Sequence, residues 1–61
     1  MKEFKKGDRV NVYNQKINGE KFLEGIAVVV LKAKYGDTFY HVRFERDGYL
    51  CERNLNEAER V

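Results

Sequence analysis

The stretch Thr38-Phe39-Tyr40-His41-Val42-Arg43-Phe44-Glu45-Arg46-Asp47-Gly48-Tyr49-Leu50 decides the fold. Tyr40, Val42 and Phe44 alternate with Phe39, His41 and Arg43, the two-residue period of a strand with one buried face. Arg46-Asp47-Gly48 then reads as a three-residue turn with Gly48 in the left-handed position. A hairpin follows, with strands Thr38–Glu45 and Tyr49–Glu52. That turn length sets Phe44 opposite Leu50, so Leu50 is predicted inside and Cys51 outside.

Working outward, the preceding segment is the most apolar of the chain. Ile26-Ala27-Val28-Val29-Val30-Leu31 has no alternation, and the strand it belongs to is predicted over Gly25–Tyr35. Gly36-Asp37 turns the chain into the next strand. Further back, Gly7-Asp8 is a turn and Arg9–Tyr13 is a strand with Val10 and Val12 on one face. Asn14–Glu24 connects the two, with the hairpin-forming pair Asn18-Gly19 near its centre. Lys16 and Lys21 fall on this connection. Arg53-Asn54-Leu55 reads as one 3₁₀ turn, and residues 57–61 fit either a short helix or a closing fifth strand.

The fold class predicted is all-β: a five-stranded antiparallel barrel with one 3₁₀ turn. The inward set is Val10, Val12, Ala27, Val29, Leu31, Tyr40, Val42, Phe44, Leu50 and Leu55. Gly7-Asp8-Arg9-Val10, Gly25-Ile26-Ala27-Val28, Tyr40-His41-Val42-Arg43-Phe44 with Asp47-Gly48, and the step from Leu50 to Leu55 together resemble the pattern of SH3-like barrels of the KOW and Tudor kind. The resemblance covers residues 4–58 and rests on core and turn positions, so it implies a fold rather than a function. The compact format is also similar to short phage-type proteins.

Composition narrows the classes of function. The 61 residues fit one domain, 1–61, and are 43% hydrophobic and 36% charged, which excludes a disordered tail and a membrane-spanning segment. Lys and Arg number 12 against 10 Asp and Glu, a net charge of +2. That balance is mild for a dedicated nucleic-acid binder. No apolar run follows Met1-Lys2-Glu3-Phe4, so no secretory leader is expected and a cytoplasmic location follows as the expectation. Cys51 is the single cysteine, so no intramolecular disulfide forms, and no metal-ligand spacing exists. No metal or cofactor is expected.

Catalysis finds little support in these residue types. His41 and Cys51 lack a third orienting group. The opening Gly7-Asp8-Arg9-Val10 is similar to that of the plasmid-type dihydrofolate reductases. However, their Val-Gln-Ile-Tyr motif would fall on Tyr49-Leu50-Cys51-Glu52, which lacks it. The chain is read as a non-enzymatic module.

Two binding surfaces are then expected. With Ala27, Val29 and Leu31 inside, Ile26, Val28 and Val30 are left on the outer face, with Phe39 beside them. Either a bulge or bend swaps the faces partway, or these side chains form a patch that a protein partner or a second copy covers. The alternative is nucleic-acid binding through Arg9, Lys32, Lys34, Arg43 and Arg46, interleaved with Tyr13 and Tyr35. Cations there would meet phosphates and aromatic faces would stack bases. A Tudor-type cage built from Tyr13, Phe39 and Tyr49 is a further arrangement that the aromatics allow.

Overall fold

The computed structural model describes residues 3–15 and 18–61. Five antiparallel strands make one sheet: β1 (Arg9–Gln15), β2 (Lys21–Lys32), β3 (Phe39–Phe44), β4 (Leu50–Asn54) and β5 (Glu59–Arg60). Their order is β4-β3-β2-β1-β5. No helix is present among the described residues. The tail is a strand: Val10 faces Arg60, Asn11 faces Glu59, and the Val61 N–H donates to the Arg9 carbonyl at 2.9 Å.

The expectation of a closed barrel is corrected. β4 and β5 stand at opposite ends of the strand order and do not pair, so the sheet curls around its core as an open sheet. The predicted 3₁₀ turn at Arg53-Asn54-Leu55 is also absent there. Arg53 and Asn54 extend β4, and a single turn closes later, with the Ala58 N–H donating to the Leu55 carbonyl at 3.1 Å.

The curvature comes from β2, the longest strand, which carries two irregularities. Val12 faces Gly25 but Tyr13 faces Leu23, so Glu24 is an extra residue. Val29 faces Val42 but Leu31 faces His41, so Val30 is a second extra residue. Each insertion locally bends and twists the strand. Valine- and isoleucine-rich sequence suits such a strand because branched side chains pack well on a pleated surface.

The core is Phe4, Val10, Val12, Ala27, Val29, Ala33, Tyr40, Val42, Phe44, Leu55 and Ala58. Phe4 packs edge-on against Tyr40, with ring centroids 5.8 Å apart, and its N–H donates to the Tyr40 hydroxyl. Eight residues of the predicted inward set are buried as expected. Leu31 and Leu50 are corrections, at 51% and 53% exposed.

Each of the two has a register cause. Leu31 is turned outward by the insertion at Val30, which sets it opposite the outward His41 rather than the inward Tyr40. Leu50 is turned outward because the β3–β4 turn is one residue longer than predicted. Phe44 N–H donates to the Tyr49 carbonyl and Gly48 N–H to the Phe44 carbonyl, so four residues, Glu45–Gly48, make the turn. Arg43 therefore faces Leu50, and Val42 faces Cys51, which packs against the core. A slip of one residue moves a whole strand's side chains to the other face.

Candidate functional site

Directly opposed residues in a sheet share a face. Arg9 faces Val28, Val28 faces Arg43, and Arg43 faces Leu50, so these four form one row across β1, β2, β3 and β4 on the outer side. A second row, Leu31-His41-Glu52, lies beside it. Ile26 lies on the same face opposite Asn11. The outer surface of β2 is thus apolar from Ile26 to Leu31, and Leu50 on β4 stands in the same row with Arg43 between it and Val28.

The inserted residue did not remove this surface. It added Leu31 to it while leaving Ile26, Val28 and Val30 half-buried. At one end the strip is covered. Arg9 stands beside Val28 on one flank of β2. Glu45, whose N–H donates to the Ile26 carbonyl, stands on the other flank. The two side chains join over the strand, Nε to Oε2 at 2.7 Å and Nη2 to Oε1 at 3.0 Å. This bond holds the Glu45 carboxyl below its usual range and raises Arg9.

At the other end the strip opens into a depression of about 360 Å³, lined by Lys6, Gly7, Val28, Val29, Val30 and Arg43. Its wall on the β1 side is the turn Lys5–Asp8. That turn is fastened to β2 by Gly7 N–H to Val29 carbonyl at 2.8 Å and Val29 N–H to Asp8 carbonyl at 2.9 Å. Lys6 stands on this wall and Arg43 on the opposite one.

Phe39 lies elsewhere. It is half-buried at the β2–β3 connection, 6.0 Å from the Tyr35 ring and close against Gly36. Two residues of β3, Tyr40 and Val42, and the outward His41 separate it from the Arg43 row. The structure therefore groups Ile26, Val28 and Val30 and sets Phe39 apart.

The alternative cationic set is dispersed. Arg9 is taken up by Glu45. Arg46 donates to the Glu24 carbonyl at 2.7 Å, lies 3.8 Å from Asp47, and stacks over the Phe44 ring. Tyr13 lies under the Lys21 ammonium and lines a separate polar cleft with Asn14, Arg53, Asn54, Asn56 and Glu57. Tyr35 donates its hydroxyl to the Glu52 carboxylate at 2.6 Å, which raises its pKa. Lys32, Lys34 and Arg43 are exposed and have no ion-pair partner among the described residues. Lys16 lies outside the described residues. Tyr13, Phe39 and Tyr49, considered above as a cage, do not converge on either depression.

Sequence reasoning missed Lys6, Leu31 and Leu50. Nothing in the local pattern marks Lys6, because its role depends on the turn that lies along β2. No group of metal-ligating side chains occurs among the described residues. No family model, curated protein or solved structure matches the chain.

Proposed function

We propose that this protein is a non-enzymatic interaction module that docks a protein, a foreign chain or a second copy of itself, on the outer face of β2, β3 and β4. The observation that carries the reading is the apolar strip of Ile26, Val28, Val30 and Leu31 along β2, with Leu31 51% exposed, and with Leu50, 53% exposed, standing beyond Arg43 on β4. Contiguous apolar surface on a small soluble chain marks a contact site more often than idle surface. The five-strand antiparallel order supports an SH3-like kinship with the sheet left open.

The test uses light scattering and amide chemical-shift mapping on the intact chain. A mass above 7.2 kDa that rises with concentration, and falls back in Val28→Lys, assigns the face to a second copy. A monomer whose residue 28–31 and Leu50 amides shift on adding a neutral leucine-rich peptide assigns it to another chain. If neither a second copy nor any peptide moves those amides, the reading is overturned.

A second reading, nucleic-acid binding, is supported by the unpaired Lys32, Lys34 and Arg43. It requires affinity for an oligonucleotide that falls steeply with salt. It also requires that the double variant Lys32→Glu, Arg43→Glu lose that affinity.

A further inference from the structure

Resting on the docking-face reading, we infer that the occupant of the depression on β2 is an acidic segment of another protein, in which carboxylates bracket one aliphatic side chain. The depression is chemically lopsided. Its floor is Val28 and Val30, its two walls end in Lys6 and Arg43, and no carboxylate lines it. Neither cation has an ion-pair partner among the described residues.

The neighbouring acids are already engaged. Glu45 is held by Arg9. Glu52 accepts from Tyr35. Asp8 accepts from the Lys5 N–H at 2.8 Å and lies 3.4 Å from Arg60. The local field over the depression is therefore positive although the net charge is only +2.

The dimensions fit a short extended segment. Val28 to Leu31 spans about 10 Å of strand, and the flanking walls lie about one strand spacing, roughly 5 Å, to either side. The Arg9–Glu45 pair closes the end at Ile26, so the segment enters from the Leu31 and Lys32 end. A second copy fits poorly. A two-fold contact brings the same patch against itself, Lys6 and Arg43 included, and the acids near the face are committed within their own chain. Like charges brought together at an interface oppose association.

The experiment titrates the full chain with four probes at low and moderate salt: a peptide of alternating glutamate and leucine, one of alternating serine and leucine, one of alternating lysine and leucine, and a single-stranded oligonucleotide. Binding is read by fluorescence anisotropy, and its location by the amide signals of Val28, Val30, Leu31 and Arg43. The glutamate–leucine peptide is expected to bind at least tenfold more tightly than the serine–leucine peptide at low salt, with the advantage reduced by added salt. Lys6→Glu with Arg43→Glu, whose exposed positions leave the folded spectrum intact, is expected to abolish that advantage.

Equal binding of the acidic and neutral peptides on this face overturns the acidic assignment and leaves the docking face standing. Preference for the basic peptide does the same. Binding of the oligonucleotide alone, or of no probe at these residues, overturns the acidic assignment, and the docking face falls with it only where light scattering also finds a monomer.

Discussion

Arg53 of β4 and Glu24 of β2 join in a two-pronged ion pair although β3 lies between their strands: Nε to Oε1 is 3.0 Å and Nη2 to Oε2 is 2.9 Å. Glu24 is the inserted residue of the first irregularity, which frees its side chain from the ladder. Arg53 also lies over the Phe44 ring, 5.8 Å from its centroid. The pair thus ties the curl of an open sheet across the lip of its core. At 14% side-chain exposure, Glu24 is screened far less than a surface carboxylate.

Replacing Glu24 with glutamine is expected to cost about 1–2 kcal/mol at neutral pH, since a half-buried guanidinium loses its charge-assisted partner. The pH dependence has a definite sign. The Arg53 hydrogen bond is the main cause that holds the Glu24 carboxyl below its ordinary value. The stabilisation is complete above the unfolded-state value of about 4.3 and is lost as pH falls through the lowered native value. Urea unfolding of the two proteins is expected to differ at neutral pH and to converge in acid.

Tyr40→Phe keeps the ring and removes the hydroxyl that accepts from the Phe4 N–H at 3.3 Å. A buried donor is then left unpaired, at a cost of about 1 kcal/mol. Thermal unfolding with hydrogen exchange at Phe4 checks this. The expected result is a lower midpoint together with faster exchange of that one amide.

Two glycines with similar backbone angles are expected to respond differently. Gly36 and Gly48 have φ near +72° and +70°, a region that penalises a side chain. A Cβ on Gly48 meets open space, whereas one on Gly36 falls 2.5 Å from the Phe39 ring. Gly48→Ala should cost about 1 kcal/mol from the backbone alone. Gly36→Ala should cost at least about 1 kcal/mol more, because Phe39 must move. Denaturant midpoints of the two variants decide it.

Cys51 is half-buried opposite Val42, and desolvation is the main cause that raises its thiol pKa. Thiol reagents attack the thiolate. At mildly alkaline pH the native protein is expected to react about tenfold more slowly than the urea-unfolded chain. Equal rates would show that the β3–β4 pairing does not shelter this residue.

Much of the architecture is legible in the sequence. Alternation placed Val10, Val12, Tyr40, Val42 and Phe44 in the core because a strand's side chains point to opposite faces by geometry alone. The apolar outer face at Ile26, Val28 and Val30 was legible for the same reason, as a surplus that one sheet face cannot absorb. Phe4 and Ala58 were not legible as core. They sit outside the strands, where no periodicity marks them, and join the core through the segments before β1 and before β5.

The sequence by itself determined an all-strand chain, its approximate strand positions and the existence of two apolar faces on β2, because these follow from local pattern and turn chemistry. Tertiary structure alone decided the register. One extra residue in the Glu45–Gly48 turn sent Leu50 out and Cys51 in, and one extra residue at Val30 sent Leu31 out. The same level decided which charges are spent. Arg9 and Arg53 find carboxylates more than 25 residues away in the chain, while Lys6 and Arg43 come together across β2 without one. Pairing over such distances depends on how strands are laid side by side, and a local pattern carries no record of that.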